Sequence, residues 1–420
     1  MGGYTSVVTW ITTVAVGFAA PCELSSPEPI RSAWERLAAE SSDEAAFAFG
    51  LCLEEAGLGH AAQVHFLDVA DGDGPLYADA LGHAFAVGES IGDLWTLSSW
   101  AERIPGGLEP NEIGADAVWF AWARAMADED RNGDAVIALQ EVSDQFRFAG
   151  EVALIRGESL RTTDPDAARD AFVEALDPAE AGSDNRDTAL FRLADLEVGE
   201  GRLAEAASWL VQVRSDSPWY AHSRAMAAEV ARVVGARGLA RRWLRDGRQA
   251  VRRGDWSPGA EVTHARMLAD RCHVARAARV IDAWVAASEG ERLAFDAMAA
   301  SHLEADRAVE ILDGLVGTKL PAAVLSRSLQ EAEMAQLHRH RGAVLLEREA
   351  LGGVSDALFQ VTAGAYLEEA YTRAEKWIEE LMAARFTAMV EAADKQFRAA
   401  RKDADDARAE IGASCQGAAP

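Results

Sequence analysis

Apolar residues recur with a helical period along most of the chain, and the segment 187–218 shows the pattern most clearly. Its first apolar face comprises Leu190, Leu193, Ala194 and Leu196, and its second comprises Ala206, Leu210 and Val213. Gly201 separates the two faces and Pro218 follows the second, as expected for a turn and a helix end. Each helix alone would expose its apolar stripe, so the pattern predicts two helices packed as an antiparallel pair.

The same layout recurs at 43–69, 151–178, 221–247 and 258–284. Gly57 and Gly235 occupy the turn in two of these segments, and Cys272 takes that place in another. Small or apolar residues follow each turn, for example Ala62 and Phe66 after Gly57. Gly201 and Gly235 are 34 residues apart, which is the period of a tetratricopeptide array. The sequence therefore predicts an all-α fold built from repeated helix pairs.

These segments resemble the tetratricopeptide repeat (TPR) family over most of 43–285. The resemblance implies a superhelical solenoid of antiparallel helix pairs, with the first helix of each pair lining a concave groove that binds peptides. Carried over to this chain, the groove would include Phe191, Asp195, Val198, His222, Met226 and Glu229. The helices lack the Asn and Lys that chaperone-binding members use to hold a terminal carboxylate, so a mixed apolar and acidic groove is expected.

The repeat period ends at Pro321, and long helices are predicted over 322–350 and 354–411. An apolar seam in the second helix favours a coiled coil that could support self-association. The seam comprises Leu367, Tyr371, Ala374, Ile378 and Leu381. The array and tail together resemble exported TPR proteins of myxobacteria and their relatives, some of which belong to envelope machinery. The tail residues that carry this resemblance are Ala365, Tyr366, Leu367, Ala374, Lys376 and Glu380.

The predicted domain organisation follows from these segments. It runs from a signal peptide or apolar N-terminal helix at 1–20, through degenerate repeats at 21–110 and the TPR-like solenoid at 111–320, to a helical tail at 321–412 and a disordered end at 413–420.

The compartment depends on the apolar stretch 6–20 and on the cysteines. The stretch has the length of a signal-peptide core and a small-residue pattern at Gly17 and Ala19, but no Lys or Arg precedes it. We expect export, with the periplasm as the location and the cytoplasm as the alternative. Cys52 and Cys272 read as buried thiols, whereas a Cys22–Cys52 disulfide requires export.

Charge separates one block of the chain from the rest. The 420 residues carry a net charge of −27, which disfavours nucleic acid as a partner because two polyanions repel each other. Against this background, Arg241, Arg245, Arg248 and Arg252 recur on one helical face. The stripe is either a solvated surface or a docking patch for an acidic segment, a partner protein or anionic lipid headgroups.

Motifs for catalysis or metal binding are incomplete. The sequence 128–134 begins like a calcium loop but has Leu139 where a bidentate Glu is needed, so an acidic turn between helices is favoured. Glu261 and His264 form a single E-x-x-H, whereas a di-iron site needs two. We therefore expect a non-enzymatic scaffold with no cofactor or metal, binding a protein or peptide in its groove. The alternative is an all-helical enzyme with its active site in the superhelical cavity.

Overall fold

The computed structural model describes residues 21–72, 74–93, 100, 113–176, 184–300 and 304–413. Within these ranges the chain is all-α and contains no strand longer than an isolated bridge. The first helices are α1 Glu28–Glu40, α2 Asp43–Glu55, α3 Gly59–Ala70, α4 Tyr77–Ile91, α5 Ala115–Asp128, α6 Asn132–Leu139, α7 Ala149–Leu160, α8 Pro165–Glu174 and α9 Asp184–Gly199. They are followed by α10 Leu203–Leu210, α11 Tyr220–Val233, α12 Arg237–Arg252, α13 Ala260–Ala269, α14 Val274–Ala287, α15 Glu289–Ala300, α16 Ala305–Leu312, α17 Ala322–Gln330, α18 Ala332–Gly352 and α19 Ala365–Ala413.

The chain divides into two compact units. The first combines Met1–Ile91 with Ala343–Ala374, and the second combines Gly92–Gly342 with Glu375–Pro420. Both are built from helices that pack with their neighbours in sequence, such as α2 with α3 and α11 with α12. The predicted class, a solenoid-like array of helix pairs followed by long C-terminal helices, is confirmed.

The turns inside the pairs have the geometry that the repeat predicts. Gly201 and Gly235 have φ angles of 74° and 78°, a left-handed conformation that suits glycine because it has no Cβ. Cys272 adopts a φ of 56° at the corresponding turn between α13 and α14. Asp130 adopts 60° in the turn between α5, which ends at Asp128, and α6, which begins at Asn132, so the acidic segment 128–134 spans a helix-pair turn as predicted. The turn conformation is therefore retained even where glycine has been replaced.

Close contacts inside the pairs repeat as well. A Cβ on Gly50 of α2 would lie 2.7 Å from a ring carbon of Phe66 in α3. A Cβ on Gly157 of α7 would lie 2.5 Å from a ring carbon of Phe172 in α8. Both rings are fully buried. In each of these pairs a glycine in the first helix makes room for a phenylalanine of the second.

The C-terminal helices differ in detail from the prediction. The helix expected over 322–350 is interrupted at Glu331, whose backbone is extended (φ −65°, ψ 136°). Its carboxylate is held by Arg385 of α19, an interaction that the sequence pattern alone does not reveal. The helix expected over 354–411 begins with a short turn at Ala357–Phe359 and a π-helical turn at Gln360–Gly364 before α19 continues.

The apolar stripe of α19 continues beyond the predicted seam. Leu367, Tyr371, Ala374 and Ile378 are buried in the structure. Buried residues of the stripe continue at Met382, Phe386, Val390, Ala393, Phe397, Ala400, Ala404, Ala407 and Ile411. In the second unit Ala404, Ala407 and Ile411 join a core cluster with residues of α13 and α14. This part of the stripe therefore packs on helices of its own chain.

Two cysteine predictions have different outcomes. Cys22 and Cys52 are both buried and form a disulfide, with their Cα atoms 5.4 Å apart. The expectation of buried free thiols is therefore wrong for both residues: Cys52 is buried but disulfide-bonded, and Cys272 is exposed and disulfide-bonded at a left-handed turn. In the described part of the chain no helix combines the length and the apolar character that crossing a membrane requires. The predicted signal peptide and the C-terminal end lie outside the described residues, apart from Ala413.

Candidate functional site

The residues expected to line the TPR-type groove lie in α9 and α11 of the second unit. Phe191 is only 7% exposed and its ring stacks on Trp219, with the centroids 4.8 Å apart. Val198 and Met226 pack against the same core cluster. His222 lies beside Phe191, and burial together with the charge of Arg327 lowers its pKa to about 4. The apolar members of the predicted groove therefore contribute to packing between helices.

The two acidic members of the predicted groove are held in ion pairs. Asp195 accepts a hydrogen bond from Arg161 over 3.1 Å. Glu229 is bound by Arg232 of its own helix at 2.7 Å and lies 3.7 Å from Arg266 of α13. The first pair joins α9 to the residue that follows α7, and the second joins α11 to α13, so both pairs connect successive first helices of the array.

The C-terminal helices contact the same side of the array. The guanidinium of Arg327 in α17 lies 4.2 Å from the ring centroid of Trp219. Arg266 of α13 binds Asp403 of α19, and Val262 of α13 shares a core cluster with Ala404. The first-helix face is therefore occupied by α17 and α19 of the same unit at these positions.

A larger open groove lies between the helix pairs α11–α12 and α13–α14, and we call it the arginine groove. It has a volume of 710 Å³. Its charged lining consists of Arg232, Arg237, Arg241, Arg242, Arg245, Arg248, His264, Asp270, Arg271 and Arg276. Three of the predicted partner-binding residues, Arg241, Arg245 and Arg248, lie in this lining, whereas Arg252 does not.

The local sequence of α12 explains how the arginines come to face the groove. Ala240, Leu244, Gly247 and Ala250 form its buried face. Gly247 allows a close approach to α11, because a Cβ there would lie 3.2 Å from the carbonyl oxygen of Ala221. The arginines occupy the remaining faces at spacings of three and four residues, so that several project on one side.

Most guanidinium groups of the groove have no counter-charge. Among the described residues, no carboxylate lies within 4.0 Å of Arg237, Arg241, Arg242, Arg245, Arg271 or Arg276, and all six residues are exposed. Elsewhere arginines are commonly shared between carboxylates: Arg169 binds Asp166, Glu197 and Glu200. The arginine groove is therefore a concentrated positive site on an acidic protein.

The paired groups form one edge of the arginine groove. Arg232 is bound by Glu229 and by Asp270 at 3.2 Å. Arg248 donates to Glu261 over 2.7 Å, and Nδ1 of His264 lies 3.3 Å from the same carboxylate. Burial raises the pKa of Glu261, but the hydrogen bonds from His264 and Arg248 outweigh it and hold that pKa below its usual range. The E-x-x-H pair is thus part of an ion-pair network with an arginine.

The sequence stripe indicated only one wall of the arginine groove. Arg271 lies in the turn of the next pair and Arg276 in its second helix, so the helical period of α12 does not include them. The sequence signal that could have identified them is their position about one repeat after Arg237 and Arg242.

Comparisons with known proteins give no family assignment. No protein-family model matches the chain, and no curated protein shows significant similarity to it.

Proposed function

We propose that this protein is a non-catalytic interaction scaffold of tetratricopeptide type that binds an acidic segment of a partner protein in the arginine groove. The observation that carries this proposal is the set of six exposed arginines that converge on one groove and have no carboxylate within 4.0 Å in the described part of the chain. A segment rich in Asp and Glu would supply the missing counter-charges, since guanidinium groups bind carboxylates through paired hydrogen bonds.

The arginine groove is a better candidate for the partner than the first-helix face. At the first-helix face, Phe191 and Trp219 are stacked, and α17 and α19 contact the same side. A peptide bound there would have to displace helices of the chain itself. A peptide in the arginine groove would displace only solvent and ions.

The first test uses a fluorescent peptide of twelve glutamates and an equally long glutamine peptide with the full chain. We expect the glutamate peptide to bind and the glutamine peptide to bind at least tenfold more weakly, about 1.4 kcal/mol. Reversing Arg241, Arg245 and Arg271 to Glu should remove binding measured by fluorescence anisotropy. These positions are exposed and unpaired among the described residues, so the thermal unfolding temperature should change little.

A matched variant controls for net charge. Arg252, Arg279 and Arg339 are also exposed, and none of them lines the arginine groove. Reversing these three to Glu changes the net charge equally and should leave binding within about twofold. Equal losses in both variants would show that only general charge attracts the peptide, and retained binding in the groove variant would contradict the site itself.

The location that fits this role is the periplasm or the exterior, where the partner would belong to a cell-envelope complex. The disulfide between Cys22 and Cys52 and the bonded state of Cys272 support it, because disulfides persist in oxidising compartments. Fractionation of the tagged full chain, with alkylation of free thiols before lysis, tests the location. Cytoplasmic fractionation with alkylated Cys22 and Cys52 would exclude it.

A further inference from the structure

A second, smaller cleft in the second unit lies between the array and the C-terminal helices. It has a volume of 220 Å³ and is lined on one side by Trp219 and Trp256 and on the other by residues of α17 and α19. Ala388 and Ala392 of α19 are exposed at its edge, so the cleft is open to solvent. This space corresponds to roughly seven waters at about 30 Å³ each, enough for a small organic molecule.

Two donors of the cleft, the guanidinium of Arg327 and the indole N–H of Trp256, lack a carboxylate partner among the described residues. Arg327 donates to Gln396 over 3.1 Å and lies over Trp219, but no carboxylate among the described residues lies within 4.0 Å of it. Trp256 is only 5% exposed, and its buried indole N–H has no hydrogen-bond partner among the described residues. A buried donor without a partner is costly and uncommon in native structures.

The remaining charges of the cleft do not neutralise Arg327. Arg385 is bound by Glu331, which is the single carboxylate in the lining, and by Glu333 outside it. Arg192, a third lining arginine, is bound by Glu158, which lies outside the lining. Burial lowers the pKa of Arg327 to about 10, with the charge of Glu331 opposing this shift and that of Arg192 adding to it, so the guanidinium remains charged at neutral pH.

We propose that this cleft binds a small carboxylic acid with a flat apolar body. The carboxylate would accept hydrogen bonds from the guanidinium of Arg327 and the indole N–H of Trp256. The apolar body would lie against Val324, Met389 and Ala392 of the lining. Arginine favours this ligand class because its planar fork matches a carboxylate, and these side chains offer apolar area for the body of the ligand.

Calorimetric titration of the full chain with phenylacetate, and with phenylacetamide as the neutral analogue of equal shape, tests the proposal. We expect phenylacetate to bind with a dissociation constant below about 1 mM and phenylacetamide at least tenfold more weakly. Inorganic sulfate should also bind more weakly than phenylacetate, because it cannot use the apolar walls. Equal binding of the amide, or no binding of phenylacetate to the folded protein, would overturn the proposal.

Four variants locate the ligand. Arg327→Gln and Trp256→Phe each remove a donor. Arg327→Gln should weaken phenylacetate binding at least tenfold, and Trp256→Phe should weaken it about threefold. Ala392→Phe leaves every donor in place but fills the cleft from its exposed edge, so it should abolish binding even where a buried variant fails to fold. Arg339→Gln removes an exposed arginine outside the lining and should have no effect. A loss with Arg339→Gln as large as that with Arg327→Gln would contradict the assignment, as would unchanged binding in Ala392→Phe.

The two sites can be tested separately. Arg327 and Trp256 do not line the arginine groove, and Arg241 and Arg271 do not line the cleft. Failure of glutamate-peptide binding would therefore leave the carboxylate cleft standing, and failure of phenylacetate binding would leave the scaffold role standing.

Discussion

At the level of single residues, the packing of the helices depends on glycines at close contacts and on histidines that are buried in the neutral state. Gly157 permits the ring of Phe172 to pack directly on the backbone of α7. His65 lies in the first unit between Phe49 and Tyr366, with ring centroids 5.0 and 5.3 Å away. Substitution or protonation at these positions should change the stability of the fold.

Gly157→Ala should destabilise the protein, because the new methyl would lie 2.5 Å from a carbon of a ring that has no room to move. We expect a loss of about 1–3 kcal/mol in urea unfolding. Gly342 is the matched control, since a Cβ there meets nothing within 4 Å. Gly342→Ala should instead stabilise its helix by about 0.5–1 kcal/mol. Similar losses for both substitutions would show that the close ring contact is not the cause.

Acidification should weaken the fold through His65 and His222. Burial lowers the pKa of each to about 4 in the folded state, against 6.5 for the free side chain. Between these two pH values the histidines are protonated in the unfolded chain but neutral in the folded chain. The free energy of unfolding therefore falls as the pH drops from 6.5 to 4. Each histidine should contribute on the order of 3 kcal/mol to this loss. His65→Gln should flatten the dependence of the urea midpoint on pH, and an unchanged slope would contradict the buried neutral state.

At the level of elements, the long C-terminal helix is held by a continuous buried stripe rather than by a free coiled-coil seam. Phe397 is fully buried among three aromatic rings, with centroids 5.5 Å from Phe295, 6.4 Å from Trp256 and 6.2 Å from Trp284. Ion pairs such as that between Arg266 and Asp403 lie beside this core. The helix is thus attached to the array within the second unit by both packing and charge.

Phe397→Ala should loosen this attachment and lower the free energy of unfolding by about 3–5 kcal/mol. Hydrogen exchange should rise in the last turns of α19 and in α13–α14, which share a core cluster. Leu346→Ala is the control, because Leu346 is 67% exposed and should cost less than about 0.5 kcal/mol. Unchanged exchange in α13–α14 would show that the helix packs independently of them.

The sequence predicted helices and turns better than it predicted their partners. Gly201 and Gly235 identified the turns because a left-handed turn has a local chemical signature. The extended backbone at Glu331 has no such signature, since it accompanies an ion pair with Arg385, far away in sequence. Only one wall of the arginine groove could be predicted from the sequence, for the same reason. Arg241 and Arg245 lie on one helix, whereas the stacking of helix pairs brings Arg276 to them.

For the whole molecule, the uneven distribution of charge is the dominant property. The chain has a net charge of −27, yet six exposed arginines without an ion pair among the described residues line one groove. The acidic remainder would repel polyanions at a distance, and under the proposed function the arginine groove would attract short acidic segments at contact. Screening by salt should therefore affect the two proposed sites differently.

Raising the salt concentration from about 50 to 300 mM should weaken glutamate-peptide binding at least tenfold, because the groove arginines are exposed and strongly screened. Phenylacetate binding should fall by less than about threefold over the same range, since Arg327 is desolvated and apolar contacts contribute. Anisotropy and calorimetry on the same sample give both values. Equal salt sensitivity would contradict the assignment of the two ligands to differently exposed sites.

The spacing of the arginines in α12 also has a consequence for the stability of the protein. Arg237, Arg241 and Arg245 follow one another at four-residue intervals, and like charges at that spacing oppose helix formation. An acidic segment that neutralises them removes this repulsion and, by binding only the native state, raises the melting temperature. If the proposed partner binds there, binding and folding are coupled, and copies without a partner should unfold more often and be cleaved by proteases sooner.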